Sequence, residues 1–275
     1  MADITDWIGK SETTQDIIDY GLVRKMAATL GTKITDPACA LPHLWHWMFF
    51  QPSIPFNGLG EDGHPARGGF LPPADNRNRM WAGGRLQFLH PLMIGHTAKR
   101  ISTIKNIVEK QGKTGALLFV TVEHNYIQNG QSAVLEEQDI VYREPSPYSP
   151  AKSAPCPLAD WSETHRSSPV TLFRYSALTF NAHRIHYDYP YATGIEGYPG
   201  LVVQGQLLAT LALRAFEKAN RQADVCYFSF RSQRPIINPD TFITAGKISN
   251  AGKADLWVGN DNGIAQTCNV GFALK

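Results

Sequence analysis

A short segment near the middle of the chain holds three side chains that could do acid–base chemistry. Asn181, His183 and His186 lie close together in the sequence FNAHRIH. An imidazole can accept or donate a proton near neutral pH, and an amide can hold a water molecule or a substrate carbonyl. The spacing therefore suggests general acid–base catalysis, with His186 as the base.

Gly205 could supply a second requirement of such chemistry, a donor for negative charge that develops on a substrate oxygen. It begins the apolar run GQLLATLALRAFEKAN, which predicts a helix with one buried face. The first N–H groups of a helix have no intrahelical partner and lie at the positive end of its dipole. Because glycine has no side chain, an oxygen could approach this N–H closely. The neighbouring Gln204 is a candidate substrate-binding residue.

The elements predicted around these residues follow the same order in both halves of the chain. The first half has a predicted helix within 14–30, strands from Met80 and a hairpin at Asn129–Gly130. In the second half, VTLFRYSALTF is predicted as a strand, and the apolar helix and four more strands follow. Strand–helix–strand alternation is absent, so the pattern predicts an α+β fold. Two helices, each wrapped by a curled antiparallel sheet, would form a double hotdog.

The composition of residues 145–170, which are dense in proline and serine, marks a boundary between the two halves. We predict an N-terminal module over 1–145, a linker over 146–168 and a C-terminal module over 169–275. A long irregular segment, 36–80, is rich in proline, glycine and tryptophan. Such loops are usually functional in compact domains.

The overall composition excludes several classes of partner. The chain has 275 residues with 43% hydrophobic residues and a net charge of +2, and no block of basic residues stands out. A nucleic-acid or anionic-membrane partner is therefore not expected. The four cysteines are widely spaced, which excludes zinc-binding spacing. No apolar run is long enough to span a membrane and no secretory signal is evident, so a cytoplasmic protein is expected.

Two long stretches of the sequence resemble a known family. YSALTFNAHRIHYDYPYA followed by GYPGLVVQGQLLATLAL is similar to the motif of MaoC-like enoyl-thioester hydratases and dehydratases. With RMWAGGRLQFLHPLMIGH, the chain resembles more closely their double-hotdog branch. That branch includes mesaconyl-C4-CoA (3-methylfumaryl-CoA) hydratases, itaconyl-CoA hydratases and type-2 3-hydroxyacyl-thioester dehydratases. The resemblance implies a degenerate N-terminal hotdog that shapes an acyl tunnel and a C-terminal hotdog that carries the active site.

The resemblance also implies roles for individual residues. His186 falls on the family's catalytic histidine, and Gly205 on the glycine whose N–H contacts the thioester oxygen. The family's catalytic aspartate falls on Asn181, and an amide cannot accept a proton as a carboxylate does. Three accounts stay open: His186 is the sole base with Asn181 orienting water, His183 is the second acid–base group, or Asp188 supplies the carboxylate.

The substrate implied is a short, branched or dicarboxylic enoyl-CoA of the mesaconyl or itaconyl kind, which a hydro-lyase would hydrate reversibly. Arg184 could pair with the second carboxylate, and Arg85 and Arg231 are further candidate substrate-binding residues. Neither a metal nor an organic cofactor is expected, because the CoA thioester itself activates the α-carbon. The alternatives are a 3-hydroxyacyl-ACP or -CoA dehydratase of fatty-acid metabolism and a non-catalytic acyl-thioester-binding subunit. Either a monomer or a homodimer of double hotdogs would be compatible.

Overall fold

The computed structural model describes residues 4–66, 68–74, 77–112, 115–144, 148–149 and 153–275. The strands in these residues are β1 (Ser11–Ile17), β2 (Asn78–Phe88), β3 (Thr97–Gly112), β4 (Gly115–Gln128), β5 (Gln131–Arg143), β6 (Trp161–Arg166), β7 (Ala223–Ser232), β8 (Thr241–Asn250), β9 (Lys253–Asn260) and β10 (Gly263–Leu274). The α-helices are α1 (Tyr20–Thr29), α2 (Pro169–Leu178), α3 (Tyr189–Gly194) and α4 (Gly205–Ala219). None of the helices in these ranges has the length and apolar character needed to cross a membrane.

The strands form one antiparallel sheet in the order β1-β3-β4-β5-β2-β7-β10-β9-β8-β6. Read from each edge toward the centre, the same arrangement occurs twice: β1-β3-β4-β5-β2 in the first half and β6-β8-β9-β10-β7 in the second. Each half also has a helix directly after its edge strand, α1 after β1 and α2 after β6. The predicted α+β double hotdog is confirmed, with the two modules joined through β2 and β7.

The join between β2 and β7 depends on glycine in the sequence RMWAGG. Gly83 pairs with Arg231, and Gly84 pairs with Phe230. A Cβ atom at Gly83 would lie 2.4 Å from the carbonyl oxygen of Phe230, far inside contact distance. The two strands could not approach this closely with a larger residue, so the glycine permits one continuous sheet.

The helix α4 fills the second module, as its apolar pattern predicts. Its inner face buries Leu207, Leu208, Ala212, Ala215 and Phe216, and it packs on β6, β8, β9 and β10. Burying a leucine or phenylalanine side chain stabilises the fold by about 1.5–3 kcal/mol. This face, rather than intrinsic helix propensity, therefore fixes the position of the helix N-terminus.

The first module has a different centre. In its described residues, the stretch between α1 and β2 contains only short 3-10 helices, among them Trp45–Met48. Trp47 and Phe50 are buried there, with Trp47 edge-on to Trp81 of β2 and Phe50 edge-on to Tyr126 of β4. A short aromatic segment thus occupies the core that α4 fills in the second module.

This aromatic core surrounds a fully buried carboxylate, Glu136 of β5. It accepts hydrogen bonds from Trp47 Nε1 (2.9 Å), Tyr126 Oη (2.9 Å) and Gln138 Nε2 (3.0 Å), and His46 Nε2 lies 3.3 Å away. Burial alone would raise the pKa of this carboxyl. The hydrogen bonds and the nearby histidines outweigh burial and lower the pKa from 4.5 to about 2.

The segment VTLFRYSALTF is a helix, α2, so the predicted strand is wrong. Ser168 caps the helix by accepting a hydrogen bond from the N–H of Thr171 (3.1 Å), and Pro169 occupies the first helical position. Leu172 and Tyr175 are buried one helical turn apart. The capping residues and this helical spacing outweigh the alternating pattern that had suggested a strand.

The predicted helix within 14–30 is also shorter than expected. Residues Ser11–Ile17 pair with β3 as an edge strand, and the helix begins at Tyr20. Its N-cap is Asp19, whose Oδ1 accepts a hydrogen bond from the N–H of Leu22 (2.8 Å). A capping carboxylate directly before the apolar positions therefore sets the start of the helix.

The second module begins earlier than predicted. The strand β6 lies inside the predicted linker 146–168 and pairs with β8 along its whole length. Trp161 packs on Phe216 of α4, with ring centroids 5.8 Å apart, which holds the strand on the core. The module therefore starts by Trp161 rather than at residue 169. Positions 146–147 and 150–152 of the predicted linker lie outside the described residues.

The buried Glu136 yields a stability prediction. We expect Glu136→Gln to lower the free energy of unfolding at pH 7 by about 2–4 kcal/mol, because one amide cannot accept all of these hydrogen bonds. Its depressed pKa means that Glu136 stabilises the fold above pH 4.5 and loses this contribution as the pH falls toward 2. The difference between the two proteins should therefore shrink from pH 5 to pH 3, measured by chemical denaturation.

Glu123→Gln is the matched control, since Glu123 on β4 is only partly buried and pairs with Lys105 at 2.8 Å. We expect it to cost less than about 1 kcal/mol. Equal losses for the two variants would contradict the assigned role of Glu136.

Candidate active site

A cavity of about 1110 Å³ lies where the two modules meet. Both halves of the chain line it, with Arg79, Trp81 and Arg100 from the first and His186 and Phe230 from the second. The volume is slightly above the usual range for small-molecule sites, about 300–1,000 Å³. It could accommodate an acyl group together with part of its carrier.

The polar segment that follows α2 forms one wall of this cavity. Phe180 adopts a left-handed conformation (φ 49°) and turns the chain after the helix. Asn181 Oδ1 then accepts a hydrogen bond from the N–H of His183 (3.1 Å), and a 3-10 turn ends at His186. Asn181, His183 and His186 all line the cavity, so the structure brings these predicted site residues together.

His186 is buried, and its protonation is fixed by one hydrogen bond. Nδ1 lies 2.8 Å from the carbonyl oxygen of Val202. A carbonyl oxygen can only accept, so Nδ1 carries the proton and Nε2 keeps its lone pair. Burial lowers the pKa of His186 to about 4, although the bond to Val202 opposes this shift and the charge of His64 adds to it. The side chain is therefore neutral at pH 7 and can act as a base.

The start of α4 lines the same cavity. The first hydrogen bond within the helix is donated by the N–H of Leu208 to Gln204, so the N–H groups before it have no intrahelical partner. A Cβ atom at Gly205 would lie 3.3 Å from Ser232 Oγ, so a side chain would narrow this end of the cavity. Gln204 donates through Nε2 to the carbonyl oxygen of Leu172 and to Ser176 Oγ, both at 2.9 Å. Gln204 thus fastens α2 to the helix start, while also lining the cavity.

A loop from the first module docks on the polar segment of the second. The N–H of Arg184 donates to the carbonyl oxygen of Asp62 (3.0 Å), and Arg184 Nη1 donates to that of Glu61 (3.1 Å). Gly63 has a φ of +86°, and a Cβ there would lie 1.9 Å from the carbonyl oxygen of Ala182. The two backbones therefore touch, and only glycine fits at the contact.

This loop places Asp62 and His64 in the cavity wall. Asp62 Oδ2 lies 2.9 Å from His64 Nδ1, and the imidazole of His64 packs on that of His183 with ring centroids 4.3 Å apart. Burial would raise the pKa of the Asp62 carboxyl, but the hydrogen bond and charge of His64 outweigh it and hold that pKa below its usual range. The pKa of His183 is also lowered, by burial and by the charges of His64 and His186.

Asp62, His64 and His183 offer donor atoms that lie within 4.8 Å of one another, close enough for a metal ion. However, Asp62 and His64 are hydrogen-bonded directly to each other. The arrangement is therefore that of a carboxylate–imidazole pair. The expected absence of a metal and of an organic cofactor stays a prediction.

The structure does not bring three of the predicted arginines to the cavity. Arg184 is bound by Asp188 (2.8 Å) and lies over the ring of Tyr191, 4.1 Å from its centroid. Arg85 pairs with acidic residues of β5, including Asp139 at 2.9 Å, and Arg231 is exposed on β7. Ion pairs hold Arg184 and Arg85 outside the cavity lining, and Arg231 is exposed to solvent. The geometry therefore does not support substrate binding by these three arginines.

Asp188, one of the candidate partners of His186, also binds other groups outside the cavity. It caps α3 by accepting a hydrogen bond from the N–H of Tyr191 (3.2 Å), and its other oxygen binds Arg184. It does not line the cavity. The geometry therefore does not support the account in which Asp188 supplies the missing carboxylate.

Asp62, His64 and Arg79 line the cavity and are among the residues that the sequence analysis did not identify as site residues. Among the described residues, Arg79 of β2 has no ion pair, and its charge contributes to the lowered pKa of His183. The sequence contains only weak indications of these residues. Asp62 and His64 lie in the long irregular loop that was expected to be functional, and Arg79 directly precedes MWAGG.

The site thus combines a neutral imidazole base, N–H groups without an intrahelical partner at a helix start, and an arginine, Arg79, that has no ion pair among the described residues. Such a set can take a proton from water, stabilise negative charge on a carbonyl oxygen and hold a carboxylate. A thioester with an adjacent double bond presents the matching carbonyl and electrophilic carbon.

Comparison with known proteins identifies the family. Residues 44–238 match the model of hydroxyacyl-thioester dehydratase type 2. The chain is 47% identical over 242 residues to a mesaconyl-C(4)-CoA hydratase of Chloroflexus aurantiacus, covering 86% of each protein. It is 30% identical over 261 residues to the mitochondrial hydroxyacyl-thioester dehydratase type 2 of Schizosaccharomyces pombe, covering 84% of this chain and 83% of that protein.

Solved structures agree on the fold. A MaoC-like dehydratase from Phytophthora capsici superposes with a TM-score of 0.71 at 15% identity, covering 99% of this chain and 98% of that one. HtdX of Mycobacterium tuberculosis superposes with a TM-score of 0.69 at 19% identity, covering 94% and 98%. On the family match and the identity to these relatives, the chain belongs to the hydroxyacyl-thioester dehydratase type 2 family of MaoC-like hydro-lyases.

Proposed function

We propose that this enzyme reversibly hydrates a short, branched dicarboxylic enoyl-CoA of the mesaconyl-C4 type. The observation that carries the proposal is His186, buried in a cavity with its proton held on Nδ1 by Val202. The 47% identity to a mesaconyl-C(4)-CoA hydratase supports the choice of acyl group.

The reaction adds water across the double bond next to the thioester. His186 Nε2 takes a proton from water as the oxygen bonds to the β-carbon, which moves electron density onto the thioester oxygen. The N–H groups at Gly205 and the following residue stabilise that charge. As the enolate collapses, the α-carbon takes up a proton, so one water molecule is added in total.

Arg79 is the residue that we assign to the free carboxylate of the substrate. In mesaconyl-C4-CoA, this carboxylate and a methyl group both sit on the β-carbon, where the water oxygen adds. Arg79 lines the cavity, and its charge acts on His183, beside the proposed base. A guanidinium can bind a carboxylate with two parallel hydrogen bonds, which would fix the β-carbon in front of the water.

A second candidate function is dehydration of a longer 3-hydroxyacyl thioester. The cavity favours it in one respect, because it extends into the first module as far as Arg100 and Tyr126, beyond what a four-carbon acyl group needs. The same His186 and Gly205 would act in the reverse direction. An itaconyl substrate, a cytoplasmic location and the oligomeric state stay predictions.

His186→Ala tests the base. We expect kcat for hydration of mesaconyl-C4-CoA to fall by about 10²–10⁴-fold, because the water loses its proton acceptor. Loss of the absorbance of the conjugated thioester measures the rate. The control is His90→Ala, which removes an exposed imidazole outside the cavity lining and should keep wild-type activity. Full activity in His186→Ala would show that the assigned base is wrong.

The pH dependence tests the same residue independently. A base must be unprotonated, and burial lowers the pKa of His186 to about 4. We therefore expect the acid-side fall of kcat/KM, the loss of activity toward low pH, to be centred near pH 4. A decline centred near 6.5, the ordinary value for histidine, would contradict the buried, neutral state of His186.

Arg79→Met tests recognition of the carboxylate. We expect kcat/KM for mesaconyl-C4-CoA to fall by about 10²-fold or more, because a bound carboxylate loses its charged partner. Hydration of 3-methylcrotonyl-CoA, which has a methyl group in place of that carboxylate, should change by less than about threefold. Arg231→Met, on an exposed arginine, is the matched control. Equal losses on both substrates, or no loss on mesaconyl-C4-CoA, would contradict the role of Arg79.

A further inference from the structure

The site described so far lacks a proton donor for the α-carbon. His186 takes a proton from water, and a second group must deliver one to carbon. Asn181 stands where a carboxylate is expected, and its Oδ1 is occupied by the N–H of His183. Asp188 is bound to Arg184 outside the cavity lining. Neither residue can therefore serve as the second acid–base group. His183, the remaining candidate, lines the cavity, but burial and the charges of His64 and His186 lower its pKa, so it is not a protonated donor at neutral pH.

We propose that His64, held by Asp62, is this second acid–base group, supplied by the first module to a site in the second. The proposal rests on the hydratase function given above and extends it. Three contacts carry it: the 2.9 Å bond between Asp62 and His64, the ring contact between His64 and His183, and the presence of both loop residues in the lining of the cavity that holds His186.

The hydrogen bond fixes the tautomer of His64. Asp62 Oδ2 accepts, so His64 Nδ1 donates and Nε2 is the atom that can exchange a proton with substrate. The second oxygen of Asp62 accepts from the backbone N–H of His64 (3.0 Å), which locks the carboxylate against rotation. An adjacent carboxylate also stabilises the positive charge of a protonated imidazole. Asp62 is thus a positioning residue, and His64 is the catalytic one.

The proton balance closes with two imidazoles. His186 takes a proton from water while the oxygen bonds to the β-carbon. Protonated His64 then gives its Nε2 proton to the α-carbon as the enolate returns to a thioester. His186 is left protonated and His64 neutral, and transfer of one proton between them, through solvent or His183, restores the starting state. The rings of His183 and His186 are 5.4 Å apart, and those of His64 and His183 are 4.3 Å apart.

The loop that carries His64 is held in position by its contacts with the polar segment of the second module. The backbone bond from Arg184 to Asp62 and the close contact of Gly63 with Ala182 hold the loop on the polar segment. A methyl group at position 63 would lie 1.9 Å from a carbonyl oxygen and would also strain a φ of +86°. Gly63→Ala should therefore move His64 away without altering any titratable group.

The test compares His64→Ala, Asp62→Asn and Gly63→Ala with the wild type on mesaconyl-C4-CoA. We expect kcat to fall by about 10²-fold or more for His64→Ala and Gly63→Ala and by about 10-fold or more for Asp62→Asn, with KM changed less than about threefold. Added imidazole should partly restore His64→Ala but not His186→Ala. His90→Ala is the control, and thermal unfolding checks that each variant is folded.

Hydration in deuterium oxide reports on the proposed step itself. The wild type should place deuterium on one face of the α-carbon, and His64→Ala should place it on both faces in its residual product, because the fixed donor is gone. Asp62→Glu should recover part of the loss in Asp62→Asn. A purely structural role for the pair would leave the deuterium on one face.

Three results would overturn the proposal. First, His64→Ala could keep wild-type kcat while His186→Ala loses activity. This result would reject the role of Asp62 and His64 and leave the hydratase function intact. Second, wild-type protein could hydrate no enoyl-CoA, which would reject the hydratase function and the proposal with it. Third, the protein could contain a stoichiometric divalent metal that is absent from His64→Ala, and a chelator that removes this metal could abolish activity. This result would make Asp62, His64 and His183 a metal site.

Discussion

Pairing of β2 with β7 is the interaction on which the rest of the molecule depends. It makes one sheet of two hotdog modules, and it is possible because Gly83 lets the strands approach where a Cβ atom would collide with Phe230. The cavity lies at this join. The loop with Asp62 and His64 reaches the polar segment of the second module because the join holds both modules side by side.

The two modules contribute unequally because their cores differ. The second is filled by α4, whose buried face fixes the helix start with its unpaired N–H groups. In the first, an aromatic segment around Trp47 and the buried Glu136 takes that place. The cavity extends into this module as far as Tyr126. A buried polar core keeps its shape only while every donor around the carboxylate is hydrogen-bonded. The hydrogen bonds of Glu136 therefore stabilise the first module and also maintain the shape of the acyl pocket.

Local patterns in the sequence predicted much of the fold. The apolar face of α4 and the Asn129–Gly130 hairpin follow from periodicity and turn chemistry, and both were predicted correctly. The strand predicted for VTLFRYSALTF was wrong because its apparent alternation was weighted above the Ser168–Pro169 cap. Inside the predicted linker, the edge strand β6 was missed because its neighbours are rich in proline.

The site was harder to predict, since its parts are distant in sequence. Asn181, His183 and His186 are adjacent in the chain and were found as a group. Asp62 and His64 lie more than a hundred residues away, and only the docked loop brings them in. Arg184 illustrates the opposite error: it lies beside the cluster in sequence, but Asp188 one helical turn later binds it. Proximity in sequence does not show which partner a charged side chain takes.

The most direct measurement is a crystal structure of the His186→Ala variant with mesaconyl-C4-CoA bound. The account predicts that the thioester oxygen contacts the N–H groups at the start of α4 and that the carboxylate lies on Arg79. The α-carbon should lie next to His64 Nε2. An acyl group bound outside this cavity, or bound with the carboxylate at the helix start and the thioester remote from it, would contradict the account.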